Sequence, residues 1–158
     1  MVAAHTAWTT DSEQSVPHAE ETLHDSGTID ILVADDEMIV RRLLEMVLRP
    51  SGIRLESVSS GTEAIRIFEE HHADVRLVLL DIQMPGLDGP ETFRRLKAIN
   101  PDVRVLFMSG DPGGHSTTEL IEMGALGLIE KPFGDLMMVA SRLRQIAAAG
   151  NAHTKCHR

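Results

Sequence analysis

Leu77-Val78-Leu79-Leu80-Asp81-Ile82-Gln83-Met84-Pro85-Gly86-Leu87-Asp88-Gly89 decides how the chain folds. Four apolar residues run straight into a carboxylate, and turn-forming Pro-Gly and Asp-Gly pairs follow. A short apolar run bounded by turn signals suits a strand buried on both faces. Asp81 then stands at the strand's carboxyl end. In an open parallel α/β sheet that rim is where ligands and chemistry lie. Taken alone, Asp81 suits a plain turn cap better, a common use of aspartate.

The stretches on either side repeat the pattern. Ile31-Leu32-Val33-Ala34 ends in Asp35-Asp36-Glu37, and Val40, Leu43, Leu44, Val47 and Leu48 follow at helical spacing until Pro50 and Gly52. Ile53 to Val58 alternates apolar and polar, as a partly exposed strand does. Ser60 with Glu63 has the spacing of a capping box and opens a helix carrying Ala64, Ile65, Ile67 and Phe68. After Asp81, Asp88 with Glu91 has the same spacing, and Phe93, Leu96 and Ile99 give that helix a buried face until Asn100-Pro101. Val103 to Met108 reads as a fourth strand, ending in Ser109-Gly110-Asp111. Ser116 with Glu119 caps a short helix, Thr117 to Met123. Leu126 to Glu130 is a fifth strand, ending in Lys131-Pro132-Phe133. The last helix carries Leu136, Val139, Ala140, Leu143 and Ile146, and Gly150 closes it. Five alternations of strand and helix imply a parallel sheet with helices on both faces.

At 158 residues, with 42% hydrophobic residues, the chain suits one ordinary core and is too short for two sizeable domains. A net charge of -9 argues against a non-specific nucleic-acid binder. No apolar stretch reaches the roughly 18 residues of a membrane span, and no basic start precedes an apolar run as in a secretory signal. The single cysteine, Cys156, excludes an intrachain disulfide and fits a reducing cytoplasm. Residues 1–28 are polar, hold Trp8 and five acids, and read as a mobile leader; 29–149 form the domain; 150–158, with His153, Cys156 and His157, read as a flexible tail. His71-His72 sits at a helix end, where a cationic histidine suits the dipole. The Arg41-Arg42 and Arg94-Arg95 pairs read as solvated helix faces. Met137 and Met138 read as core filler in the last helix.

Four polar clusters fall at the carboxyl ends of expected strands: Asp35-Asp36, Asp81, Ser109 and Lys131. A parallel sheet brings those ends to one rim. Three carboxylates and one ammonium leave a charge of about minus two, which a divalent cation neutralises. All-oxygen ligands suit magnesium. A carboxylate can also accept a phosphoryl group. Positioning and charge neutralisation are most of what that transfer needs.

Val33-Ala34-Asp35-Asp36-Glu37, the Leu79 to Gly89 stretch, Phe107-Met108-Ser109-Gly110 and Lys131-Pro132-Phe133, in that order, resemble the receiver domain of bacterial two-component response regulators. The resemblance covers about Ile29 to Ala149. It implies a flavodoxin-like (βα)5 fold with sheet order 2-1-3-4-5. It implies Asp81 as phosphoacceptor and a magnesium ion (Mg2+) bound by Asp36, Asp81 and the main-chain carbonyl of Gln83, with Asp35 acting partly through water. Lys131 would neutralise a phosphoryl oxygen, Ser109 would hydrogen-bond the group, and Gly110 would leave room and offer its N–H. The Lys131-Pro132 bond would be cis. The donor would be a phosphohistidine on a histidine kinase or histidine phosphotransfer protein. The output would leave through the face of the fourth helix, fifth strand and fifth helix. The short tail leaves no room for an output domain, so a stand-alone cytoplasmic receiver is expected, monomeric or weakly dimeric. One position departs from the family: Leu128 replaces the usual aromatic, and the chain has no tyrosine.

Two alternatives accompany this reading. A haloacid-dehalogenase-type phosphatase also uses Asp, Lys, Ser and magnesium. Those enzymes resemble each other in an Asp-x-Asp, whereas Gln83 and Met38 stand two residues after Asp81 and Asp36. A degenerate receiver that only binds partners is the other, favoured by Leu128 and disfavoured by the intact acidic pair, Asp81, Ser109 and Lys131.

Overall fold

Residues 29–111 and 115–149 are described by the computed structural model. Strands β1 (Ile31–Ala34), β2 (Leu55–Val58), β3 (Leu77–Asp81), β4 (Val105–Ser109) and β5 (Gly127–Glu130) alternate with helices α1 (Met38–Leu48), α2 (Gly61–His71), α3 (Gly89–Ile99), α4 (Thr117–Glu122) and α5 (Leu136–Ala149). All pairings are parallel and the sheet order is β2-β1-β3-β4-β5. Trp8, His153, Cys156, His157 and Gly150 lie outside the described residues.

The central strands are buried on both faces, so their apolar side chains divide by parity. Leu32, Ala34, Val78, Leu80, Val105 and Phe107 join one core with Ala64 and Phe68 of α2, Phe93 and Leu96 of α3, and Leu120 of α4. Ile31, Val33, Leu77, Leu79, Leu106 and Met108 join the other, with Val40, Leu44 and Leu48 of α1 and Ala140, Leu143 and Ala147 of α5. A continuous apolar strand is what a sheet covered on both faces requires.

Helix starts follow the expected caps, with differences in detail. Ser60, Asp88 and Ser116 each accept a hydrogen bond from the N–H three residues on. The reciprocal half of the box closes only at Ser116, where Glu119 accepts from the Ser116 N–H. Glu63 accepts instead from the N–H and hydroxyl of Ser59, and Glu91 turns to Arg94 and Arg95. Strand starts differ too. Val103 is buried but precedes β4, because its N–H bonds Asn100 in the turn that ends α3. Leu126 is 43% exposed and precedes β5.

Met137 and Met138 are not core filler: they are 65% and 70% exposed. Val139, Ala140, Leu143 and Ile146 turn toward the sheet, Leu136 lines the cleft beside the rim, and a period of 3.6 puts 137 and 138 on the outer side. Arg42, Arg94 and Arg95 are solvated as expected. Arg41 is half-buried and donates to the Asp35 carbonyl, so it belongs to the rim rather than to a solvated face.

Candidate functional site

β1 and β3 lie side by side with Ala34 opposite Leu80, so Asp35 and Asp81 leave the sheet together. Ser109 ends β4 one residue beyond Met108, the register partner of Asp81. Lys131 follows β5, and its N–H donates to the Ser109 carbonyl at 2.7 Å, tying the last two strand ends together. The Lys131-Pro132 bond is cis.

The turn after Asp81 is shaped by glycine at two points. Gly86 has φ +80°, a left-handed conformation that side chains resist. Gly89 begins α3 directly against the strand end: its N–H donates to the Ile82 carbonyl at 2.9 Å. A Cβ at Gly89 would collide with the Asp81 carbonyl oxygen and stand 2.8 Å from the Ile82 Cα. No side chain at this position lets α3 pack so close to the functional strand.

The side chains converge on one ammonium. Lys131 Nζ lies 3.1 Å from Asp35 Oδ2, 3.4 Å from Asp81 Oδ2 and 2.8 Å from Glu37 Oε1. Asp35, Asp81 and Ser109 are buried, while Asp36 is exposed. Ligand atoms of Asp35, Asp36 and Asp81 lie within 4.8 Å of one another, the only such group among the described residues. Asp35 Oδ1 accepts from the Glu37 N–H at 2.8 Å, Asp81 Oδ1 from the Gln83 N–H at 3.3 Å, and Ser109 Oγ from the Asp111 N–H at 3.2 Å. A Cβ at Gly110 would meet nothing within 4 Å, so the space beside it is open.

Three carboxylates thus share one ammonium, with the Asp36 carboxylate close to two of them. Burial pushes the Asp81 carboxyl up to about 6, with the Asp35 charge adding to the effect and Lys131 opposing it. Burial also raises Asp35, against the Glu37 N–H and Lys131. Burial pulls the Lys131 ammonium down, but hydrogen bonds to Glu37 and Asp35 outweigh it and hold the lysine well above its ordinary range. Both partners of the Lys131–Asp35 pair therefore move upward, Asp35 through burial and Lys131 through its bonds to carboxylates. An all-oxygen donor set with surplus negative charge fits a hard divalent cation such as magnesium.

Sequence reasoning brought Asp35, Asp36, Asp81, Ser109 and Lys131 to one rim, and the structure does the same. It missed Glu37 as the closest partner of Lys131. The only signal was a third acid after the Asp35-Asp36 pair. It also missed a cleft of about 350 Å³ beside the rim, where Ile39, Val40 and Leu43 of α1 face Pro132, Phe133 and Leu136, with Glu37 and Lys131 on its wall.

The sequence model for the response regulator receiver domain matches residues 31–142. The chain belongs to the response regulator receiver family. It is 36% identical over 103 residues to sporulation initiation phosphotransferase F of Bacillus subtilis, covering 65% of this chain and 82% of that protein. It is 31% identical over 121 residues to the sensor kinase CckA of Brucella abortus, covering 77% of this chain but only 13% of the kinase. Among solved structures, the receiver domain of NtrX from Brucella abortus superposes with a TM-score of 0.64 at 30% identity, covering 78% of this chain and 99% of that one. The receiver's role is that of a signalling switch in two-component phosphorelays, and membership weighs against the haloacid-dehalogenase alternative. No helix among the described residues is long and apolar enough to cross a membrane.

Proposed function

We propose that this receiver accepts a phosphoryl group on Asp81 from a phosphohistidine of a histidine kinase or histidine phosphotransfer protein. One observation carries the reading: a buried carboxylate at the end of β3 lies 3.4 Å from a lysine ammonium, inside a cluster with two further aspartates. Asp81 Oδ attacks phosphorus, the phosphorus–nitrogen bond of the donor breaks, and the imidazole nitrogen keeps the electron pair. With its carboxyl titrating at about 6, Asp81 is mostly ionised at neutral pH and able to attack. Lys131 neutralises a phosphoryl oxygen. Ser109 donates its hydroxyl to the transferred group, and the open space at Gly110 leaves room for it and for a main-chain N–H contact.

Asp36, Asp81 and the main-chain carbonyl of Gln83 would hold magnesium, with Asp35 assisting through water. Magnesium when bound neutralises charge on the phosphoryl oxygens. The cleft of Ile39, Leu43, Pro132 and Phe133 gives the donor an apolar foothold beside Lys131. Exposed Ile121 and Leu126, at 52% and 43%, offer an output partner a surface along α4 and β5. A cytoplasmic protein, monomeric or weakly dimeric, is consistent with this role.

The test is intact mass after incubation with acetyl phosphate and magnesium. The protein should gain one phosphoryl mass, and Asp81→Asn should gain none. Full labelling of Asp81→Asn would move the acceptor elsewhere. An unlabelled protein would favour the binding-only receiver.

A further inference from the structure

An ammonium has three N–H donors and no more. In Lys131 two are hydrogen-bonded to carboxylates, Glu37 at 2.8 Å and Asp35 at 3.1 Å, and the ammonium is also ion-paired with Asp81 at 3.4 Å. A phosphoryl oxygen that takes a place on this lysine competes with these three carboxylates. The Asp35 and Asp81 side chains are 0% and 4% exposed, and that of Glu37 is 61% exposed. A buried carboxylate that loses its cation is left uncompensated, whereas an exposed one is taken up by water. The shortest of the three contacts is therefore also the one most easily surrendered.

Glu37 is placed for this by its main chain. It is the N-cap residue of α1 and makes no side-chain cap hydrogen bond. Its N–H is fixed on Asp35 Oδ1 while its carboxylate reaches Lys131 across 94 residues of sequence. The usual task of an N-cap side chain, accepting from the first turn of its own helix, is left undone.

We propose that Glu37 is a positioning residue: it holds Lys131 in the resting state, yields it to the incoming phosphoryl oxygen, and so sets how readily Asp81 is phosphorylated. This rests on Asp81 being the acceptor. A bond present in the resting protein and absent in the transition state slows the step, so its removal speeds it. Because Glu37 is solvated, the effect is modest, roughly three- to fivefold.

Three substitutions separate contact from charge. Glu37→Ala removes both. Glu37→Asp keeps the charge but is one methylene too short to hold the same contact. Glu37→Gln keeps the reach and loses the charge. The rate of phosphorylation by acetyl phosphate, at saturating magnesium, should rise in Glu37→Ala and Glu37→Asp by roughly three- to fivefold. It should rise less in Glu37→Gln. A second readout needs neither metal nor donor: the 1H–15N resonance of the Lys131 ammonium, slowed in exchange by its hydrogen bonds, should broaden in Glu37→Ala and Glu37→Asp. Wild-type rates for Glu37→Asp with faster Glu37→Gln would make the effect one of charge repulsion and overturn the proposal. So would labelled wild-type protein with unchanged rates in all three variants, or an unchanged lysine resonance. A wild-type protein that takes no label at all overturns the acceptor reading instead, and the kinetic role of Glu37 falls with it.

Discussion

Both ends of this sheet bury a carboxylate, and the two are treated in opposite ways. At the amino end, Asp30 just before β1 meets two guanidiniums, Arg54 at 3.2 Å and Arg76 at 3.3 Å. It also accepts from the Arg54 N–H at 2.9 Å. Burial pushes its carboxyl up, but these partners more than reverse that and hold it below the ordinary range. At the carboxyl end, three carboxylates share Lys131, and the two buried aspartates are held above theirs. One end is saturated with cations and closes the structure. The other is short of them, and under the proposed function that unmet charge is what a cation and a phosphoryl group would meet.

The contrast should appear first in stability against pH. In the metal-free protein Asp81 stays protonated to about 6, while its unfolded counterpart ionises near 3.8. The folded state binds the extra proton between these values, so stability falls as pH rises through that window. The penalty, fully present by neutral pH, is about 3 kcal/mol. Asp81→Asn should flatten the slope and raise the neutral-pH melting temperature by about 10 °C. An unchanged slope, or a less stable variant, would mean the carboxyl end is not short of cations.

Asp30→Asn should act in the other direction. Asp30 contributes stability above its unfolded pKa that is lost as pH falls through the depressed folded value. Its arginine partners are 53% and 34% exposed and can rehydrate, so the loss should be about 2 kcal/mol rather than that of a sealed pair. Denaturant titration at pH 7 measures it. A stabilised variant would erase the distinction between the two ends.

Metal binding sharpens the comparison within the rim. Asp36→Ala should weaken magnesium affinity about tenfold or more, as loss of a ligand does. Asp88→Ala should leave that affinity unchanged and cost about 1 kcal/mol of stability, since Asp88 caps α3 through the Glu91 N–H. Equal changes in a magnesium titration would remove Asp36 from the site.

Most of this arrangement was legible in the chain because it rests on local signals. The boundaries of β1 and β3 follow from where apolar runs meet carboxylates, and the strand ends place Asp35, Asp81, Ser109 and Lys131 without any knowledge of contacts. The sheet order came from the family likeness, since alternation alone does not say which strand lies beside which. What escaped was long-range or conformational. Glu37 finds Lys131 through a flexible exposed side chain. Arg41 leaves an outwardly charged pair to bond the Asp35 carbonyl. Asp30 drew no role from the sequence, because its arginines come from two other strand entries. Met137 and Met138 could have been placed outside the core from helical period alone; apolar character was weighed above position.

The smallest expected effect concerns how far a change at the rim travels. Leu128 on β5 pairs in register with Phe107 and is half-buried against the core that holds Phe93 and Leu120. It fills the edge of that core but has no ring to follow a moving Ser109 and no phenol to reach solvent. A population shift needs a difference in free energy between two states, and an absent aromatic contact removes about 1 kcal/mol of it. A phosphoryl mimic should therefore shift amide resonances mainly from Ser109 to Ser116, and only partly along β5 and α5. Gly113-Gly114, the glycine pair expected from sequence to make that loop readiest to move, lies outside the described residues. Leu128→Tyr should extend the response into Gly127 to Arg144 if the missing ring limits the coupling. Shifts through β5 and α5 in the unsubstituted protein that match those of the loop would show that this core transmits the signal through Leu128 as it stands.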